Sequence, residues 1–243
     1  MLETAVMAVL ILAVGHVLVA RAARSAPAGS PPPELASVLP SKAPAALPAD
    51  MGAFLGLPSL SRPHTREVSL VAVRVVDYDG LVARLDLAAL FTFENAFYGQ
   101  VTKVAETWQG EIDRFDGASV LLAFGRILDL EDHRAAARDA AVALLRSLPD
   151  RLGGVVATGA APQVAVALTA GEVVTGPVGV DYRKVFTVFG PPVSEVGHLL
   201  VRAGAGRLLV AEGRGFSGLD VVGDLRPGNG AVEVTPRAEP DGR

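Results

Sequence analysis

Acidic side chains at turns are the groups in this 243-residue chain whose type and spacing could hold a divalent cation for phosphoryl chemistry. Asp77 and Asp79 fall in the turn-like run DYDG, and Asp116 precedes Gly117 in EIDRFDGASVLLAFG, residues 111–125. Carboxylates brought together from different turns are the usual oxygen ligands of Mg²⁺ or Mn²⁺. The plain alternative is that all three are solvated turn residues, since Asp favours turns through local hydrogen bonding. Beyond Asp116 the hairpin tip offers only Ala118 and Ser119. The chain has no cysteine, which excludes disulfides, thiol catalysis and Cys-based zinc or iron–sulfur sites.

The elements that would position these acids can be read from periodicity. VSLVAVRVV, residues 68–76, is a β-branched run suited to a buried strand, and DYDG after it is a turn signal. From Leu81 to Trp108 apolar residues recur at helical spacing, with Leu85, Leu90, Phe93, Phe97, Val101 and Val104 on one face. Gly110 ends that helix, and Asp116-Gly117 gives a two-residue hairpin turn. An Ala-rich helix follows over 130–148, a strand within 155–168, and a second hairpin over 172–188. A short helix over 191–201, a strand over 207–211 and a strand pair over 218–235 complete the order. Helices against one mixed sheet, an α+β class, is the expectation. A formal net charge of −4 argues against a nucleic-acid partner.

The N-terminus differs in character. Residues 2–20 are apolar apart from Glu3, Thr4, Gly15 and His16, and Arg21 and Arg24 follow. That length suits a hydrocarbon core of roughly 30 Å. The basic residues after it place the N-terminus outside and the rest in the cytoplasm, as a single-pass membrane protein. The competing reading, a secretory signal peptide, lacks a basic n-region. The expected organisation is a transmembrane helix over 1–22, a Pro/Ala-rich linker over 23–65, a folded domain over 66–236 and a disordered tail over 237–243.

Four stretches in order, EVSLVAVRVVDYDGLVARLD, DRFDGASVLLAFG, LEDHRAAARDAAVALL and TAGEVVTGPVGVDYRKVFTVFG, resemble the class III adenylate/guanylate cyclase homology domain. The resemblance implies a ferredoxin-like mixed sheet with helices packed on it, and a homodimer or heterodimer with the active site between two domains. It also implies two carboxylates holding Mg²⁺ or Mn²⁺ against a nucleoside triphosphate.

This chain departs from the pattern where that chemistry resides. The ungapped match puts Arg74 at the first metal position and Ala118 at the second, and neither side chain ligates a hard cation. A three-residue shift would bring Asp77 onto the first position but breaks the agreement at Leu81, Arg84 and Leu85. Asp116 sits two positions early for the second. Ser194 and His198 stand where the family has the Asn and Arg that contact ribose and triphosphate, and Pro191-Pro192 replaces the polar pair before them. Arg114 and Thr187 stand at the base-reading positions, where adenylate cyclases carry Lys and Asp or Thr. No catalytic, cofactor-binding or metal residue is assigned. The expectation is a membrane-tethered, catalytically degenerate domain acting in signalling as a regulatory or scaffolding dimerisation module, with a nucleotide as candidate ligand. The alternative is an active cyclase, alone or as one half of a heterodimer, which would require Mg²⁺ or Mn²⁺.

Overall fold

A computed structural model describes residues 62–127, 129–155, 161–180, 183–224 and 231–236, without the side chains of 180, 183, 184, 221–224 and 236. The expected membrane helix, nearly all of the linker and the tail lie outside the described residues. Among the described residues no helix is long and apolar enough to cross a membrane. The chain divides into two compact units, 1–57 with 179–184 and 58–178 with 185–243. Apart from strand ends at 179–184, every element below belongs to the second.

Strand β1 (His64–Val75) is the centre of that unit. Its side chains alternate between two cores because successive residues of a strand face opposite ways. Val71, Val73 and Val75 enter one core, with Phe93, Phe97 and Val101 of one helix and Leu144, Leu148 and Leu152 of another. Val68, Leu70 and Ala72 enter the second, with Val196, Leu199 and Leu200. The eight-stranded sheet runs β2 (Glu111–Asp116), β3 (Ser119–Phe124), β1, β4 (Val164–Val180), β6 (Leu208–Ala211), β8 (Ala231–Pro236), β7 (Leu219–Asp224), with β5 (Arg183–Phe189) paired to β4. The β4–β6 pairing is parallel, while β1 pairs antiparallel with both β3 and β4, so the sheet is mixed.

Three elements differ from the sequence expectation. The single helix expected from Leu81 to Trp108 is two helices, α1 (Tyr78–Arg84) and α2 (Leu87–Thr107). Leu85 is extended, and the Asp86 carboxylate accepts from the Ala89 amide at 2.7 Å, starting a new helix where periodicity alone sees a continuous face. Helix α3 (His133–Gly153) starts later than expected because Asp132 caps it, accepting from the Ala135 amide at 2.8 Å, and it continues through Pro149. β4 passes through Gly171, where the sequence suggested a break. A Cβ there would lie 2.9 Å from Cγ of Pro192, so the glycine serves close packing of the last helix, α4 (Pro191–Arg202).

Helices α2 and α3 cover one face of β1 and α4 covers the other. Phe97 is fully buried between α2 and the sheet, and Phe97→Ala is expected to cost about 3–5 kcal/mol in urea unfolding. At the start of α3, Nδ1 of His133 lies 2.8 Å from Oγ of the buried Ser69. Burial lowers the His133 pKa below its ordinary 6.5, with Arg134 and Arg66 acting the same way and Glu67 and Asp132 opposing. The unfolded chain therefore binds this proton more readily than the folded domain. Its contribution to stability is complete above pH 6.5 and declines as the pH falls below that value. Urea midpoints at about pH 7.5 and about pH 5.5 should differ in that direction, and His133→Gln should shrink the difference.

Candidate functional site

Two of the sequence-matched positions meet at the end of β1. Arg74 pairs in register with Ser119 of β3, and the Val75 amide donates to the Ala118 carbonyl at 2.9 Å. The alternation of β1 turns Arg74 toward α4, where its Nε donates to the Leu200 carbonyl and its Nη2 to the Ala203 carbonyl, each at 2.9 Å. These oxygens belong to the carbonyl end of α4, which lacks helical amides to bond and carries partial negative charge. A guanidinium satisfies both needs. The side chain that the sequence match aligns with the first metal position is thus committed to holding a helix.

The acids offered as substitutes lie at the start of α1 and the end of β2. Asp77 adopts the left-handed conformation, φ 55° and ψ 40°, at the start of α1. Its carboxylate lies over Gly80, where an added Cβ would come within 2.5 Å of Oδ2, and it faces Arg84 at 3.9 Å. Asp116 is exposed at the end of β2, and its backbone carbonyl accepts from the Ser119 hydroxyl at 3.2 Å. Among the described residues no group of three or more His, Asp or Glu side chains is placed to hold a metal. The side chains of Arg74 and Ala118, a guanidinium and a methyl group, offer no oxygen to a hard cation such as Mg²⁺ or Mn²⁺.

Arg114 and Thr187, in contrast, are brought together. β2 carries a bulge between Ile112 and Arg114, so Asp113 has no partner on β3 and turns inward. Its side chain is 0% exposed. Asp113 accepts from Arg126 Nη1 at 2.6 Å, Arg114 Nε at 2.8 Å, Thr187 Oγ1 at 2.9 Å and the Val188 amide at 3.1 Å. Arg114 Nη2 reaches Thr187 Oγ1 at 3.4 Å and the Val188 carbonyl at 3.5 Å. Arg126, 1% exposed, also donates to Glu111 at 2.7 Å and lies 5.3 Å from the centre of the Phe186 ring. Glu111 in turn accepts from the Ile127 amide at 2.7 Å.

Ser194 and His198 are exposed, one turn apart on α4, opposite the buried Pro192, Val196 and Leu199. Pro191 and Pro192 occupy the first helical positions, where their missing amides cost no hydrogen bond. Glu195 between them anchors α4 to the sheet: the Thr169 hydroxyl donates to it at 2.5 Å and Arg214 at 3.0 Å. Under the hairpin, the Tyr98 hydroxyl donates to the Gly117 carbonyl at 2.8 Å, its ring 4.4 Å from that of Phe115. Tyr78 donates to Glu94, and that bond pushes the Tyr78 pKa up to about 12. Burial raises that of Tyr98.

No family model matches the chain. The guanylyl cyclase Cya2 superposes with a TM-score of 0.64 at 19% identity, covering 73% of this chain and 96% of that one. The adenylyl cyclase CyaB from P. aeruginosa superposes at 0.62 and 18% identity, covering 74% and 97%. The guanylate cyclase domain of RhGC from Catenaria anguillulae, in complex with GTP, gives 0.62 at 16% identity, covering 73% and 100%. This is the class III nucleotidyl cyclase fold. Among curated relatives, Uncharacterized protein Rv1320c of Mycobacterium tuberculosis is 30% identical over 148 residues, 60% of this chain and 25% of that protein. Uncharacterized protein Mb1354c of Mycobacterium bovis matches to the same extent. The chain spans about a quarter of the length of these relatives.

Within this cyclase fold, Asp113, Glu111 and Arg126 are the site residues that sequence reasoning missed. A strand written EIDRFD reads as simple alternation, and only the pairing with β3 reveals the bulge that buries Asp113. Nothing in the order of residues marks Arg126 as buried. Glu195 is legible only as one polar residue of an amphipathic helix. Breaking a buried ion pair by removing one charge leaves the other uncompensated. Asp113→Asn is therefore expected to destabilise the cyclase fold by about 3–5 kcal/mol in chemical denaturation, whereas the exposed His198→Ala should stay within about 0.5 kcal/mol.

Proposed function

We propose that the chain is a membrane-tethered, catalytically degenerate class III cyclase homology domain that acts in signalling as a regulatory or scaffolding dimerisation module, with a nucleotide as candidate ligand. The observation that carries this reading is the Arg74 guanidinium, bonded to the Leu200 and Ala203 carbonyls beside Ala118, where the family match calls for metal carboxylates. Without divalent ions, cyclisation of a triphosphate has no electrophile to offset its charge. His198 adds to the deficit, since an imidazole replaces a permanent bidentate phosphate clamp poorly. Losing one charge-stabilising group of this kind costs roughly 10²–10⁵ in rate. Membrane tethering rests on the apolar run over 2–20 and the arginines after it.

Dimerisation is supported by the β4–β5 pair. Val174, Val178, Val185 and Phe189 are all exposed, and within each strand the two residues are four apart, on one side of the ribbon. Apolar side chains gathered this way suit burial against a second domain. A second reading, one half of an active heterodimer, is favoured by the preserved contact between Arg114 and Thr187.

Purified protein incubated with ATP or GTP and Mn²⁺ is expected to yield no cyclic nucleotide above background. Product that disappears on Asp77→Ala would overturn the reading, and raised output on co-expression with an ordinary cyclase would favour the heterodimer. Light scattering should find a dimer, and Val178→Asp together with Phe189→Asp should shift it toward monomer without lowering the urea midpoint by more than about 1 kcal/mol equivalent.

A further inference from the structure

Helix α2 carries an apolar stripe that the described residues leave uncovered. Leu87, Phe91, Glu94 and Tyr98 fall at i, i+4, i+7 and i+11, which sets them along one flank of the helix. Leu87 is 85% and Phe91 72% exposed, on a helix whose Phe93 and Phe97 are buried. The opposite flank meets α3, where Gln100 accepts from Arg151 at 2.9 Å. The stripe ends against the hairpin, where the Tyr98 hydroxyl holds the Gly117 carbonyl and its ring lies 4.4 Å from that of the half-exposed Phe115. Single exposed apolar side chains are ordinary, but a Leu and a Phe one turn apart, continued by an aromatic pair, form a contiguous patch of the kind that marks an interaction surface.

The rim of this patch is acidic. Between residues 76 and 102 the chain holds Asp77, Asp79, Asp86 and Glu94 against one cation, Arg84, which faces Asp77 at 3.9 Å. Asp116 adds a further carboxylate at the hairpin tip, next to the Gly117 that Tyr98 holds. The four aspartates are exposed. Glu94, between Phe91 and Tyr98 on the stripe, accepts from Tyr78 through Oε1, and its Oε2 has no hydrogen-bond partner among the described residues. Tyr98 senses both elements: after burial, Glu94 and Asp116 each push its pKa up.

That sign decides what can cover the patch. A second copy meeting it across a two-fold axis would set the same carboxylates against one another. An anionic membrane surface would be repelled. The chain's own residues 25–61 bring Lys42 as their one cation against Glu34 and Asp50, so they do not complement it. We propose that this flank of α2 docks a cationic amphipathic helix of a partner protein, its apolar side chains on Leu87 and Phe91 and its Lys or Arg groups facing Asp79, Asp86, Glu94 and Asp116. Eleven residues of helix span about 16 Å, three turns of such a partner, which is the length over which one apolar face is read by another. The Phe115 ring adds a face that attracts a Lys or Arg side chain. The inference rests on the scaffolding role proposed above and supplies the chemistry of its partner, and it shares no residue with the β4–β5 patch.

The test is fluorescence anisotropy of a labelled Leu/Lys amphipathic helical peptide of about four turns, titrated with the full chain beside the same peptide carrying Glu for every Lys. The Leu/Lys peptide should bind and the Leu/Glu peptide should not. Leu87→Ala with Phe91→Ala, both on the surface, should weaken binding about tenfold or more, the loss expected when central anchors are truncated. Val201→Ala, an equally exposed apolar position on α4, should leave it unchanged. Asp79→Asn with Asp116→Asn should weaken it and flatten its dependence on salt. Binding that survives the Leu87/Phe91 double variant, equal binding of the Leu/Glu peptide, or no binding of the Leu/Lys peptide would overturn the inference. So would a dimer that falls to monomer in that double variant, which makes the occupant a second copy, or a drop in its flotation with phosphatidylserine vesicles, which makes it a membrane. Absence of peptide binding leaves the proposed loss of catalysis intact, whereas cyclic product from ATP or GTP would overturn that loss and leave the docking measurable on its own.

Discussion

A positive charge held at the carbonyl end of α4 is the constraint on which the rest of this domain depends. Arg74 lies on the central strand and reaches the Leu200 and Ala203 carbonyls. Hydrogen bonds from a charged donor contribute about 1.5–3 kcal/mol each, and the helix dipole adds roughly 0.3–2 kcal/mol for a cation at that end. Because the alternation of β1 sends Val73 and Val75 to one core and Arg74 to the other side, Arg74 joins β1 to α4. An acid at this position would set a negative charge against carbonyl oxygens.

The second charged centre follows a different logic. Asp113 and Arg126 are both buried, and a buried ion pair seldom stabilises a fold beyond what apolar residues of equal volume would supply. What such a pair does supply is direction. Asp113 ties the bulge of β2, the loop carrying Arg126 and the end of β5 to one another through contacts of 2.6–3.1 Å, and so fixes the plane of a guanidinium that faces solvent. Side chains left free to choose rotamers would lose that orientation.

The elements legible in the sequence were those whose apolar period is long and unbroken. β1 reads as a β-branched run, the hairpin reads from Asp116-Gly117, and the face of α2 reads from Phe93, Phe97, Val101 and Val104. Boundaries failed where one side chain outweighs the pattern: Asp86 starts a helix inside an apparently continuous one, and Gly171 permits close packing of Pro192 where it looked like a break. At the site, the juxtaposition of Arg114 with Thr187 was accessible because the resemblance aligns both. Asp113, Arg126 and Glu195 were not, because each is positioned by a partner at least thirteen residues away, and no local period encodes that.

Both polar centres are satisfied by groups of the chain itself. The two cores on either side of β1 are made of Val, Leu, Ala and Phe and owe nothing to a bound ion. Arg74 is bonded to the Leu200 and Ala203 carbonyls, and Asp113 is satisfied by Arg126 beside Arg114 and Thr187. Neither polar centre needs a ligand to complete its hydrogen bonding. Arg114, whose side chain is 43% exposed, carries the Asp113 network to the surface.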